Sequence, residues 1–148
     1  MNIAWQYLDK RAATIEALKD FPGMRHTLSR TEEEIAREKD RMTQVGGAAL
    51  SDMPRRGFDP GAGENRVASA MDHLEWLEVQ QQQAKAYMHW FLGGWRQLSE
   101  EDRTVLKAFF LQESGVEAVC EALGVERAAA YKRRERAVSR LSLMLYGK

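Results

Sequence analysis

Residues 116–141 read VEAVCEALGVERAAAYKRRERAVSRL, and their punctuation decides the fold of the C-terminal third. Val116, Val119, Cys120 and Leu123 recur at helical steps, which gives a short amphipathic helix. Gly124 stops it, because glycine enters the left-handed backbone of a tight turn without a Cβ penalty. Val125 plugs the turn, and a second helix opens near Glu126. In that helix Ala130, Ala137 and Leu141 share one side and face the preceding helices. The other side gathers Arg127, Ala128, Tyr131, Lys132, Glu135 and Arg136. A short helix, a glycine turn and a second helix with a cationic outer face read as a helix-turn-helix.

Charge is distributed to match. The chain carries 22 Lys+Arg and 22 Asp+Glu, for a formal net charge of zero. Yet residues 127–148 hold Arg127, Lys132, Arg133, Arg134, Arg136, Arg140 and Lys148 against a single acid, Glu135. Attraction to a polyanion follows the local field rather than the net charge, so the basic helix points to double-stranded DNA. Arg127 and Lys132 have the reach for guanine edges, Ala128 is small enough to meet a thymine methyl, and Tyr131 reaches a base or a phosphate. Arg133, Arg134, Arg136 and Arg140 flank this face and suit backbone phosphates. Two acids fit less well. Glu126 stands at the N-cap, where serine caps better. Glu135 lies on the presumed DNA side and is repelled there unless it accepts from a cytosine amino group.

Upstream, the pattern is helical throughout. Trp5, Leu8, Ala12, Ile15 and Leu18 form one stripe of a first helix that Pro22-Gly23 ends. A second helix follows near Thr27 or Ser29, with a thin stripe of Leu28, Ile35 and Met42. Residues 46–63, GGAALSDMPRRGFDPGAG, read as a glycine- and proline-rich linker in which Arg55-Arg56 is a solvated pair. From Glu64 to about Leu98 a long helix carries Val67, Met71, Leu74, Leu77, Gln81, Ala84, Met88, Phe91, Trp95 and Leu98 at near-heptad spacing. That is the seam of a bundle or coiled coil, with Gln81 as its polar interruption. Tyr87, Trp90, Phe91 and Trp95 are expected to pack in a core rather than to form a docking surface. Gly93-Gly94 weaken the last turn. Ser99-Glu-Glu-Asp caps the next helix, Glu100–Leu111, which presents Val105, Leu106, Phe109 and Phe110 inward.

The expected fold class is therefore all-α. An N-terminal helical hairpin and a long bundle or coiled-coil helix (residues 1–98, linker 46–63) precede a C-terminal helix-turn-helix domain (99–148). No stretch approaches the apolar length of a membrane span, and the charged amphipathic N-terminus is not a secretory signal. A lone cysteine, Cys120, fits a reducing cytosol and a packing role. His26, His73 and His89 lack metal-ligand spacing, and no phosphate loop or catalytic triad is recognisable. Glu75 and Glu78 share a helix face as a solvated pair. The reading is of a binding protein without catalytic residues, cofactor or metal.

Residues 98–141, LSEEDRTVLKAFFL followed by VEAVCEALGVERAAAYKRRERAV, resemble region 4 of the sigma-70 family. Across nearly the whole chain, IEALKDFPGMRHTLSRTEEEI, ENRVASAMDHLEWL and RLSLMLYG resemble the phage ArpU/RinA-like transcriptional regulators. The resemblance implies a sequence-specific regulator from a phage or prophage of a Gram-positive host. Such a protein activates late or integration genes together with host RNA polymerase, in the host cytoplasm, as a homo-oligomer for which a dimer is favoured. It places Arg127, Tyr131, Lys132 and Arg133 where the recognition helix meets DNA. No counterpart of the promoter-melting sigma region is present, so stand-alone sigma activity is not implied. The competing expectation is a phage small terminase subunit, which also joins a helix-turn-helix to an oligomerising coiled coil. Terminase small subunits usually place the DNA-binding module first, and assemble as rings.

Overall fold

The computed structural model describes residues 7–48, 60–112 and 114–147. Among them it forms five helices and no strand: α1 (Lys10–Ala48), α2 (Pro60–Trp95), α3 (Glu100–Leu106), α4 (Gly115–Leu123) and α5 (Arg127–Tyr146). The protein is all-α, as its periodicities predict. No helix among the described residues is long and apolar enough to cross a membrane.

The N-terminal hairpin expected from Pro22-Gly23 is not formed; α1 is one helix of 39 residues with Pro22 inside it. Proline removes one amide donor and crowds the carbonyl four residues back, here Leu18. Packing on both sides of the break outweighs that local penalty. Leu18 is fully buried, Phe21 packs tilted against Phe91 with ring centroids 5.1 Å apart, and the Tyr87 hydroxyl donates to the Ala17 carbonyl beside the disturbed turn. The start also differs from expectation. Asp9 caps α1 by accepting from the Ala12 amide at 3.0 Å, so Leu8 precedes the helix and Trp5 falls outside the described residues. Leu8 and Ala12 are exposed, and the inner face of this turn is Thr14, Ala17 and Leu18.

The linker is shorter than 46–63. α1 continues through Gly46 and Gly47 to Ala48, because a propagating helix tolerates weak formers that could not nucleate one. α2 begins at Pro60, a position where the missing amide would be unsatisfied anyway. Arg55 and Arg56 lie outside the described residues.

The chain divides into two compact units, Met1–Met24 with Tyr87–Lys148 and Arg25–Ala86. These cut across the 1–98 and 99–148 division, since both long helices contribute to both units. In the Arg25–Ala86 unit, α1 and α2 form a hairpin whose seam on the α1 side is Leu28, Thr31, Ile35, Glu38 and Met42 at alternating three- and four-residue steps. The α2 side contributes Leu74, Leu77, Gln81 and Ala84 from the heptad stripe, while Val67 and Met71 of that stripe are exposed. Arg30 Nη2 donates to Gln80 Oε1 across the seam at 3.1 Å.

The other unit holds the larger core. Leu18 and Ala17 of α1, Phe91 and Trp95 of α2, Leu98, Val105 and Leu106 around α3, Val116 and Val119 of α4, and Ala130, Ala137, Val138, Leu141 and Leu145 of α5 form one cluster. The aromatic group of α2 is part of this core, as expected: Phe91 and Trp95 are buried, and Trp90 Nε1 donates to the Leu145 carbonyl at 3.3 Å. Gly94 is a packing residue as well as a weak helix former. A Cβ there would stand 2.7 Å from Leu145 Cδ2, so its hydrogen lets α5 approach α2.

Candidate nucleic-acid interface

Local sequence builds this site from three short elements. Ser99 caps α3 by accepting from the Asp102 amide at 3.2 Å, and Glu100, Glu101 and Asp102 fill its first turn. The expected helix to Leu111 changes pitch at Lys107, where a π-turn runs to Leu111 and the Gln112 amide donates to the Lys107 carbonyl at 2.7 Å. α4 ends at Gly124, whose φ of 64° and ψ of 38° are the left-handed conformation read from the sequence. Val125 packs half-buried against the core, and Glu126 is the N-cap of α5 with no side-chain cap bond.

The inward side of α5 is as spaced: Ala130, Ala137 and Leu141 are fully buried, joined by Val138, Ser142 and Leu145. The outward side presents Arg127, Ala128, Tyr131, Lys132, Arg136 and Arg140 to solvent, with Arg133, Arg134 and Glu135 half-buried. Tyr131 is 39% exposed, and with Lys132, Glu135 and Arg136 it lines a shallow open depression.

The arginines differ sharply in what they touch. Arg140 Nη1 donates to both carboxylate oxygens of buried Asp102, at 2.8 and 2.9 Å. Arg133 is ion-paired with Glu101 of α3. Arg127 lies 3.8 Å from Glu117 of α4. Its guanidinium is held above its ordinary range, first by a hydrogen bond to Tyr131 and then by Glu117. Arg134 sits between two rings, 5.2 Å from the Phe109 centroid and 5.1 Å from that of Tyr131, and also pairs with Glu135 at 3.1 Å. Among the described residues, Lys132 and Arg136 are the cations of this face with no carboxylate partner. The arrangement therefore offers two unclaimed cations beside an exposed phenol, and four arginines anchored to acids of the chain itself.

Two contributors were not visible in the sequence. Phe109, which lies in the π-turn, packs on the Tyr131 ring with centroids 5.8 Å apart. Arg11 of α1 pairs with Glu135, 124 positions away, so the acid expected to repel a phosphate is already neutralised. Glu135 is held below the usual carboxylate range, chiefly by Arg11 and then by Arg134, against a partial opposing effect of burial. Nothing local to either residue signals this pair; the alignment of Arg11 with Thr14 and Leu18 on one face was the available clue.

Comparisons with protein families, with curated proteins and with solved structures return no match to this chain. Among the described residues no group of three or more His, Cys, Asp and Glu is placed to hold a metal ion.

Proposed function

We propose that the protein binds double-stranded DNA through the outer face of α5 and acts as a transcriptional regulator of the phage or prophage kind. One observation carries this reading. The second helix of a helix–glycine turn–helix buries Ala130, Ala137, Val138 and Leu141 completely and leaves Tyr131, Lys132 and Arg136 facing solvent. An exposed, rigidly backed cationic helix matches the width of a major groove and the charge of its walls. In this reading Lys132 and Arg136 contact DNA directly, Ala128 and Tyr131 meet base edges, and Arg127 reaches a guanine after leaving Glu117. Arg133, Arg134 and Arg140 set the position of α5 more than they contact phosphate, because carboxylates of the same chain hold them. Activation with host RNA polymerase, a dimer and residence in the bacterial cytoplasm are the further parts of this proposal, and rest on the resemblance alone.

Titration of a labelled duplex tests the reading. Affinity should fall steeply between about 50 and 200 mM salt, since each neutralised phosphate adds roughly 0.9 to the log–log slope. Salt-independent binding, or none, rejects it. Selection of bound fragments from the source genome then yields the operator. Sedimentation separates a dimeric regulator from a ring-forming terminase subunit.

A further inference from the structure

We propose that Arg11, contributed by α1, is a positioning residue of the DNA-binding face: it cancels Glu135 and so lets Tyr131, Lys132 and Arg136 meet a phosphate backbone. This rests on the DNA-binding reading above.

Arg11 Nε donates to Glu135 Oε2 at 3.1 Å, and its Nη2 donates to the same oxygen. The placement is imposed by the core. Arg11, Thr14 and Leu18 follow one another at three- and four-residue steps, and the last two are fully buried, so that stripe of α1 must face the unit that contains α5. Glu135 is the sole acid of α5 and borders the depression formed by Tyr131, Lys132 and Arg136. An uncompensated carboxylate there would oppose every nearby phosphate, and like charge across an interface costs affinity. Arg134 also touches Glu135, but its guanidinium is shared with the rings of Phe109 and Tyr131. Among the described residues, Arg11 is thus the partner without a second task.

The pair is not suited to a purely structural role. Arg11 and Glu135 side chains are 52% and 42% exposed, and ion pairs this open contribute little to folding. They are within reach of a ligand, and the lowered carboxyl of Glu135 keeps it charged and paired across the neutral range.

The test is a double-mutant cycle on the full chain, read as affinity for a labelled mixed-sequence duplex at low salt, with Lys132→Ala as the reference. Arg11→Ala should weaken binding about three- to tenfold, whereas Glu135→Gln should bind as well as the parent or better. In the Glu135→Gln background, Arg11→Ala should lose most of its effect. The charge swap Arg11→Glu with Glu135→Arg should recover near-parental affinity, because it keeps the pair and the summed charge. Melting temperatures of all variants should stay close together, and Arg11→Gln, which removes the charge but keeps a polar side chain, serves if Arg11→Ala folds poorly. An Arg11→Ala loss that is equal in both backgrounds overturns neutralisation in favour of an independent contact. If Lys132→Ala weakens binding while Arg11→Ala is silent, this inference alone fails. If neither variant changes binding, the DNA reading fails and takes this inference with it.

Discussion

Asp102 near the start of α3 grips Arg140 near the end of α5, with one guanidinium nitrogen donating to both carboxylate oxygens at 2.8 and 2.9 Å. Asp102 is 6% exposed, so the arginine is its compensation. Removing one partner of a buried charge pair leaves the other unpaired, which costs more than the pair contributes net. Arg140 is itself half exposed, which moderates the loss. Arg140→Ala should therefore lower unfolding free energy by about 1–3 kcal/mol, read from the urea midpoint. At temperatures where it stays folded, its DNA affinity should remain near the parental value. A variant of unchanged stability but weakened binding would return Arg140 to the phosphate contacts that its sequence position suggests.

How much could be read beforehand depended on whether the deciding interaction was local. Gly124 and the Ala130–Ala137–Leu141 side of α5 were legible, because turn chemistry and helical period are local properties. So was the α2 stripe from Leu74 to Trp95, which is buried or half-buried at every position. Pro22 misled, because the packing that carries α1 through it involves Phe91 and Tyr87, which lie far away in sequence. Thr14 and Thr31 are polar, so an apolar stripe does not include them. Each is buried because its hydroxyl donates to a carbonyl of the preceding turn, Lys10 at 2.6 Å and Thr27 at 2.8 Å. Within the candidate interface, exposure followed from helix geometry, but which cations were already claimed did not. Glu101, Asp102 and Glu117 come from other helices, and only the fold sets them against Arg133, Arg140 and Arg127.

Gly93 and Gly94 are adjacent but should respond in opposite ways to alanine. Nothing lies within 4 Å of a Cβ built on Gly93, whereas one on Gly94 meets Leu145 Cδ2 at 2.7 Å and Cγ at 3.2 Å. Gly93→Ala should stabilise by about 0.5–1 kcal/mol through helix propensity. Gly94→Ala gains the same propensity but must push α5 outward, and overpacking of this kind costs about 1–3 kcal/mol. Denaturant midpoints should rank Gly93→Ala above the parent and Gly94→Ala below it. Equal midpoints for the two variants would show that Leu145 swings aside freely.

Glu135 should leave a signature at acid pH. Its carboxyl is lowered in the folded chain by Arg11 of α1 and Arg134 of α5, so the unfolded state takes up its proton first as pH falls. The stabilisation is thus fully present above the ordinary carboxylate value of about 4.3 and is lost as pH drops through the lowered folded value. Glu135→Gln lacks this contribution at every pH. It should be slightly less stable than the parent near neutrality, by about 0.2–1 kcal/mol for so open a pair, and should converge on it in strong acid. Parallel stability curves for the two proteins from neutral pH into acid would refute the coupling.

Lys132 and Arg136 give the sharpest division between folding and binding. Neither has a carboxylate partner among the described residues, and both side chains point outward from a helix whose other side is buried. Replacing either with alanine removes no core contact, so unfolding free energy should change by less than about 0.5 kcal/mol. Each should nonetheless weaken duplex binding and, if it meets a phosphate, reduce the salt slope by about 0.9. If Lys132 instead reads a base edge, its loss should cost about 1–3 kcal/mol on the cognate site and much less on unrelated duplexes. Arg133→Ala supplies the contrast. Because Glu101 already holds that arginine, its removal should leave the salt slope nearly unchanged, and for so open a pair the urea midpoint should fall only slightly. A larger loss of DNA affinity from Arg133→Ala than from Lys132→Ala would mean that the pair with Glu101 opens on binding, and that the anchored arginines are the true phosphate contacts.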